Sequence, residues 1–190
     1  AEGQDPEAGS SAEPFNGGEP WQSPGTDGGF EAGYLGVTDL KIRQQGGSVE
    51  IFRMDEISAL TIKSGNGSLE AVSFQEYGMD SVLALRAGDG EDYQIFIPGS
   101  WVLDEFEAEI LEGTLEGNGV RALEAELSVT EGNAVFTQED GRKADLECMG
   151  SGSILWEMES ERYMEIDAEC RNGSITISIP ETMDPGGIGY

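Results

Sequence analysis

Eight carboxylates are spaced in a way that could do chemistry: Glu107 with Glu109, Glu124 with Glu126, Asp145 with Glu147, and Asp167 with Glu169. Each pair straddles one apolar residue, so on an extended strand both acids point to the same side. Paired carboxylates are enough for glycoside hydrolysis, and an oxygen-only cluster suits calcium. The surroundings weaken both readings. No acid differs from its copies, whereas a reaction site ordinarily interrupts a repeat. There is no EF-hand loop, and Gly65 to Glu70 (GNGSLE) lacks the aspartate of a calcium-roll repeat. The local departure at Asp89 to Asp92 (DGED) reads as a loop. The expectation is a non-enzymatic chain with no catalytic residue, no cofactor-binding residue and no dedicated metal ligand. The acids read first as a solvated face and second as a weak calcium site. A glycan-active carboxylate enzyme and a calcium-stabilised structural repeat are the alternatives carried forward.

Cys148 and Cys170 are the other candidates. They fill one slot in two consecutive copies of a phrase, and Ile110 and Val129 fill it in two others, which points the slot inward. On stacked neighbouring strands their α-carbons fall within the disulfide range of about 4.4–6.8 Å. Side chains in register on parallel strands hold their β-carbons rather far apart for a relaxed bond. Two buried thiols packing as small hydrophobes and a disulfide both remain open. With no histidine in the sequence the pair is a poor metal site. The same absence removes the commonest general base and excludes serine or cysteine catalysis that needs a histidine partner.

Charge narrows the partners. With 38 acidic and 10 basic residues, the 190-residue chain carries a formal charge of −28. Nucleic acid and anionic lipid would be repelled. The residues name no partner; a glycan, or a host or envelope protein, is the class carried forward. No apolar run is long enough to span a bilayer, so no membrane insertion is expected from this segment. The chain begins at Ala1 rather than at methionine, which is read as a leader or anchor removed.

The elements that must position these groups are legible as a repeat. Phe106 to Ile110 (FEAEI), Leu123 to Leu127 (LEAEL), Ala144 to Cys148 (ADLEC) and Ile166 to Cys170 (IDAEC) each precede a glycine, and Gly113, Gly132, Gly152 and Gly173 are 19, 20 and 21 residues apart. Looser copies surround Gly47, Gly67 and Gly88. A fixed period of this length implies supersecondary units that bury their apolar faces on one another. Period-two alternation dominates, with valine, isoleucine, leucine and aromatics on one side, so the domain is all-β. Tyr93 to Trp101 interrupts the register as a strand stopped at Pro98 and Gly99. Phe52, Phe136 and Trp156 recur after the glycines; a core role outweighs a sugar-stacking platform, while Trp101 has no obvious place. Asn66 and Asn172 match the glycosylation pattern but read as turn residues.

Residues 1–33, rich in glycine, proline, serine and acids, cannot bury enough surface to offset chain entropy. They are expected to be a disordered spacer, with residues 34–190 as the repetitive all-β domain. Two architectures fit a strand–glycine–strand unit: a single-stranded β-helix, or β-solenoid, of about seven coils of roughly 20 residues, or an antiparallel up-and-down meander or sandwich.

The copies from Phe106 onward, with Ile95 to Gly99 (IFIPG) before them, resemble the bacterial putative-adhesin domain family, a group of unknown function. The resemblance spans roughly Leu35 to Ile179 and implies the β-solenoid alternative. It also implies an extracytoplasmic location, tethered to the cell surface by an anchor outside this segment, and a role as an adhesin or envelope scaffold. It transfers no functional residues.

Overall fold

A computed structural model describes residues 21–24, 29–159 and 164–180. Fifteen strands form: β1 (Trp21–Pro24), β2 (Phe30–Tyr34), β3 (Asp39–Gln44), β4 (Ser48–Met54), β5 (Leu60–Ser64), β6 (Val72–Tyr77), β7 (Asp80–Ala87), β8 (Asp92–Pro98), β9 (Leu103–Ile110), β10 (Thr114–Val129), β11 (Asn133–Glu139), β12 (Lys143–Cys148), β13 (Ser153–Met158), β14 (Glu165–Cys170) and β15 (Ser174–Ser178). The expectation of an all-β chain holds. β1 and all of β2 but Tyr34 fall within the residues 1–33 assigned to the spacer: Phe30 is buried, and the Trp21 indole lies against Gly33. Residues 1–20 and 25–28 of that stretch lie outside the described residues.

The single-stranded β-solenoid of seven successive coils is not what the chain forms. All fifteen strands are hydrogen-bonded into one curled, mixed sheet. One half runs β1-β2-β5-β8-β4, then the start of β10, then β11-β13-β15; the other runs β6-β7-β3-β9, then the end of β10, then β12-β14. The 16-residue β10 belongs to both, bending at an irregularity between Gly117 and Val120. The units do not follow one another in space either, because β3 sits between β7 and β9, and β4 between β8 and β10. Antiparallel pairs β1/β2, β2/β5, β5/β8 and β6/β7 replace the stack at the other end. Glycine spacing reports how much chain separates like segments, and several neighbour orders satisfy the same spacing. The supposed copy around Gly67 shows the difference. Leu69–Ala71 form a single 3₁₀ turn rather than a strand, with the Ser68 hydroxyl accepting from the Glu70 amide.

Where the copies are sharpest they do pair in parallel and in register: Phe106, Ala125, Ala144 and Ile166 share one row, and Ala108, Leu127, Leu146 and Ala168 the next. Apart from Ala168, exposed at the β14 edge, these rows are turned inward and meet the rows of the other half in one core, where the Phe106 and Phe136 rings stack 4.6 Å apart. Gly113 holds a positive φ of 99°, but Gly132, Gly152 and Gly173 do not. Crowding is what those three positions share: a β-carbon at Gly152 would lie 2.5 Å from the Gly132 carbonyl oxygen, and one at Gly173 would lie 2.1 Å from that of Gly152. The same carbonyls accept hydrogen bonds from the amides of Ser153 and Ser174. The repeated glycine therefore marks close backbone approach at a corner.

Two buried glutamines secure the corners. Gln44 Nε2 donates to the carbonyls of Gly47 (2.9 Å) and Thr114 (3.0 Å), and Gln138 Nε2 to those of Ala122 (2.8 Å) and Lys143 (3.3 Å). Corner carbonyls turned from the ladders are thereby satisfied inside the core.

Candidate functional site

The eight acids lie in rows on the outside of one half of the sheet. Glu107, Glu126, Asp145 and Asp167 are register partners across β9, β10, β12 and β14. Glu109, Ser128, Glu147 and Glu169 form the next row, and Glu105, Glu124, Lys143 and Glu165 the one before. Neighbouring strands are about 4.8 Å apart, so like charges are held close. Cations relieve the strain at particular points: Lys41 Nζ is 2.6 Å from Glu107 and 3.4 Å from Glu105, Arg43 pairs with Glu109, and Lys143 with Asp145. Glu126 sits in the middle of the grid. Desolvation by its crowded surroundings, then the charges of Glu107, Asp145 and Glu105, raise its pKa above the ordinary carboxylate value.

An open depression of about 420 Å³ runs along these strands, lined by Glu126, Asp145, Glu147, Asp167 and Glu169. Among the described residues, no three or more cysteine, aspartate or glutamate side chains converge so as to hold a metal ion. The strand pleat explains this, because it aims the acids outward in parallel rather than at a common point.

Cys148 and Cys170 are register partners on β12 and β14, and both are free thiols. Cys148 is buried, with its Sγ 3.1 Å from the Gly152 carbonyl oxygen, while Cys170 is exposed. Burial first, then the neighbouring Cys170, pushes the Cys148 thiol pKa up. The two differ because β14 pairs only with β12, so nothing among the described residues covers its far side.

The other half of the sheet carries outward aromatic residues that sequence reasoning assigned elsewhere. Phe136 and Trp156 are buried, as the alternation requires, but Phe52 is not in the core. Its neighbour Ile51 takes the inward position, and Phe52 stacks on Phe96 on the outside, with ring centroids 5.4 Å apart and planes 20° apart. Trp21, Gly33, Thr61, Phe96 and Phe52 occupy successive register positions on β1, β2, β5, β8 and β4. One step along the strands the row reads Glu31, Lys63, Gln94 and Glu50, followed on β8 and β4 by Asp92 and Ser48. Lys63 Nζ pairs with Glu31 at 3.2 Å and lies 5.5 Å from the centre of the Phe96 ring. Gln94 Nε2 donates to Glu50 at 3.0 Å, and Ser48 Oγ to Asp92 at 2.6 Å. A signal was present in the sequence: Phe52 and Phe96 each directly follow an isoleucine in an alternating strand, which places them on the opposite side from it.

Asn66 is a buttress rather than the tip of a hairpin. Its side chain accepts from the Asp92 amide and donates to the Gly90 carbonyl, tying its loop to the start of β8. Trp101 is partly buried against the core.

No family model matches the sequence, and no curated protein matches it. Its fold has a counterpart among solved structures. A putative cell adhesion protein from Clostridium sporogenes superposes with a TM-score of 0.59 at 10% identity, covering 85% of this chain and 99% of that one. Putative adhesins from Parabacteroides distasonis (TM-score 0.39, 12% identity, 85% and 78% covered) and Parabacteroides merdae (0.38, 14%, 85% and 81%) are more distant. At these identities the Clostridium protein shows a shared fold. The description of the Clostridium protein agrees with the resemblance to putative-adhesin domains carried by the repeated segments.

Proposed function

We propose that this chain is a non-enzymatic adhesin module that acts at a bacterial cell surface, held there by an anchor outside the segment. The observation that carries the reading is the arrangement of its side chains. Two broad outer walls present rows of like groups on a grid of paired strands, and the depression on the acidic wall is open rather than enclosed. Such walls offer contact area to a large partner, whereas an enzyme needs reacting groups converging on one desolvated point. The fold shared with the Clostridium cell adhesion protein supports the same reading. Among the described residues no helix is long and apolar enough to cross a membrane.

The test is adherence. Beads coated with the chain should stick to host epithelial cells or to extracellular matrix more than beads coated with the heat-unfolded chain. Equal retention of the two bead types on every surface would overturn the proposal.

A further inference from the structure

The outer wall formed by β5, β8 and β4 differs in chemistry from the rest of the surface. On a chain of charge −28, it carries a strip of aromatic carbon where Trp21, Phe96 and Phe52 lie in one register row. These rings are not needed to fill the core, because Ile62, Ile95 and Ile51 occupy the inward positions of the same strands and are fully buried. Thr61, next to Phe96 in that row, is outward-facing yet only 8% exposed.

Beside the strip lies a depression of about 350 Å³ lined by Ser48, Glu50, Lys63, Asp92, Tyr93 and Gln94, among others. Its hydrogen-bonding groups are only partly used. Gln94 gives one amide hydrogen to Glu50, and Asp92 takes the Ser48 hydroxyl and amide on Oδ1. Lys63 retains donors beyond its pair with Glu31. Gln94 Oε1, Glu50 Oε1 and Asp92 Oδ2 accept no side-chain hydrogen bond from the described residues. Aromatic carbon is thus placed one strand step, about 6.6–6.8 Å along β8 and β4, from a mixed set of acceptors and donors.

We infer that this wall binds a neutral glycan, with pyranose C–H groups against Phe96 and Phe52 and hydroxyls on Gln94, Glu50, Lys63 and Asp92. A sugar is the ligand class that presents apolar and hydroxyl surfaces within one ring's width, and aromatic side chains with a few placed polar groups are what such a site requires. Polyanions are disfavoured, because Glu31, Glu50 and Asp92 surround the single lysine. The inference deepens the adhesin reading and rests on it for its biological setting, while the binding itself stands on this geometry.

The experiment is a screen of the whole chain against neutral hexose and N-acetylhexosamine oligosaccharides, with heparin as the polyanionic control, followed by titration calorimetry on the best binder. Saturable binding of a neutral oligosaccharide is expected, without heparin binding. Phe96→Ala and Gln94→Ala should each weaken it about tenfold or more, the equivalent of about 1.4 kcal/mol, while Glu147→Gln on the opposite wall should leave it unchanged. Gln94 is exposed, so its variant keeps the test valid if Phe96→Ala fails to fold. Failure to bind any neutral glycan, or binding indifferent to both substitutions, would overturn the inference. A chain that adheres to cells but binds no glycan removes this site and leaves the adhesin reading. Glycan binding without adherence does the reverse.

Discussion

Gly117 on β10 leaves the space that the Phe136 ring on β11 fills: a β-carbon at Gly117 would lie 2.6 Å from Phe136 Cδ2. The two are register partners on adjacent strands, and the ring admitted there goes on to stack on Phe106 from the other half of the sheet. A missing side chain on one strand thus lets an aromatic residue on the next join the two halves. Gly117→Ala should destabilise the fold by about 1–3 kcal/mol, the usual cost of overpacking. A denaturant midpoint shifted down at constant m would confirm it; an unchanged midpoint would show that the ring moves aside freely.

Leu146 sits between Leu127 and Ala168 in an inward row and is 2% exposed. Leu146→Asp should cost more than about 3 kcal/mol, because it puts an unpaired charge among groups that cannot solvate it. A thermal melt matching that of the parent would contradict the inward placement.

Gln138 answers two carbonyls at the corner where β11 gives way to β12. Gln138→Leu keeps the volume but removes both donors, leaving the Ala122 and Lys143 carbonyls without this partner in the core. A loss of about 1–3 kcal/mol is expected. Hydrogen exchange at the start of β12 should rise with it, a local signature that general loosening would not give.

Glu126 makes stability depend on pH in the unusual direction for a carboxylate. Its folded pKa is raised above the unfolded value, so the folded state holds the proton more tightly. Below the unfolded value both states are protonated and Glu126 costs nothing. As pH rises through the interval between the two values the folded state loses stability, and the full cost remains at neutral pH. Glu126→Gln should therefore be more stable than the parent near neutrality, with the advantage vanishing in acid and shrinking in concentrated salt. Urea midpoints at about pH 7 and about pH 4, with and without added salt, check the sign; a variant less stable at neutrality would refute it.

The cysteines should be told apart by alkylation. Iodoacetamide is expected to modify exposed Cys170 in the native chain and to reach Cys148 only on unfolding, since that thiol is buried and its pKa raised. Equal native labelling would show that the end of the sheet at β14 opens readily.

Alternation by itself determined which side chains turn inward on the repeated strands. Phe106, Leu127, Leu146 and Trp156 could be placed from sequence, and so could the acids opposite them, because a strand has a strict period of two. The slot shared by Ile110, Val129, Cys148 and Cys170 was legible for the same reason. Only the tertiary structure decided the order in which strands neighbour one another. Pairing depends on which backbone edges remain free once others have paired, and the period cannot express that. Hence β3 and β4 entered between later strands, β5 and β6 ran antiparallel, and Cys170, identical to Cys148 in its local sequence pattern, became exposed on an edge. The aromatic wall also belonged to the tertiary structure, because Trp21, Phe96 and Phe52 are distant in sequence and meet only through the register of β1, β2, β5, β8 and β4.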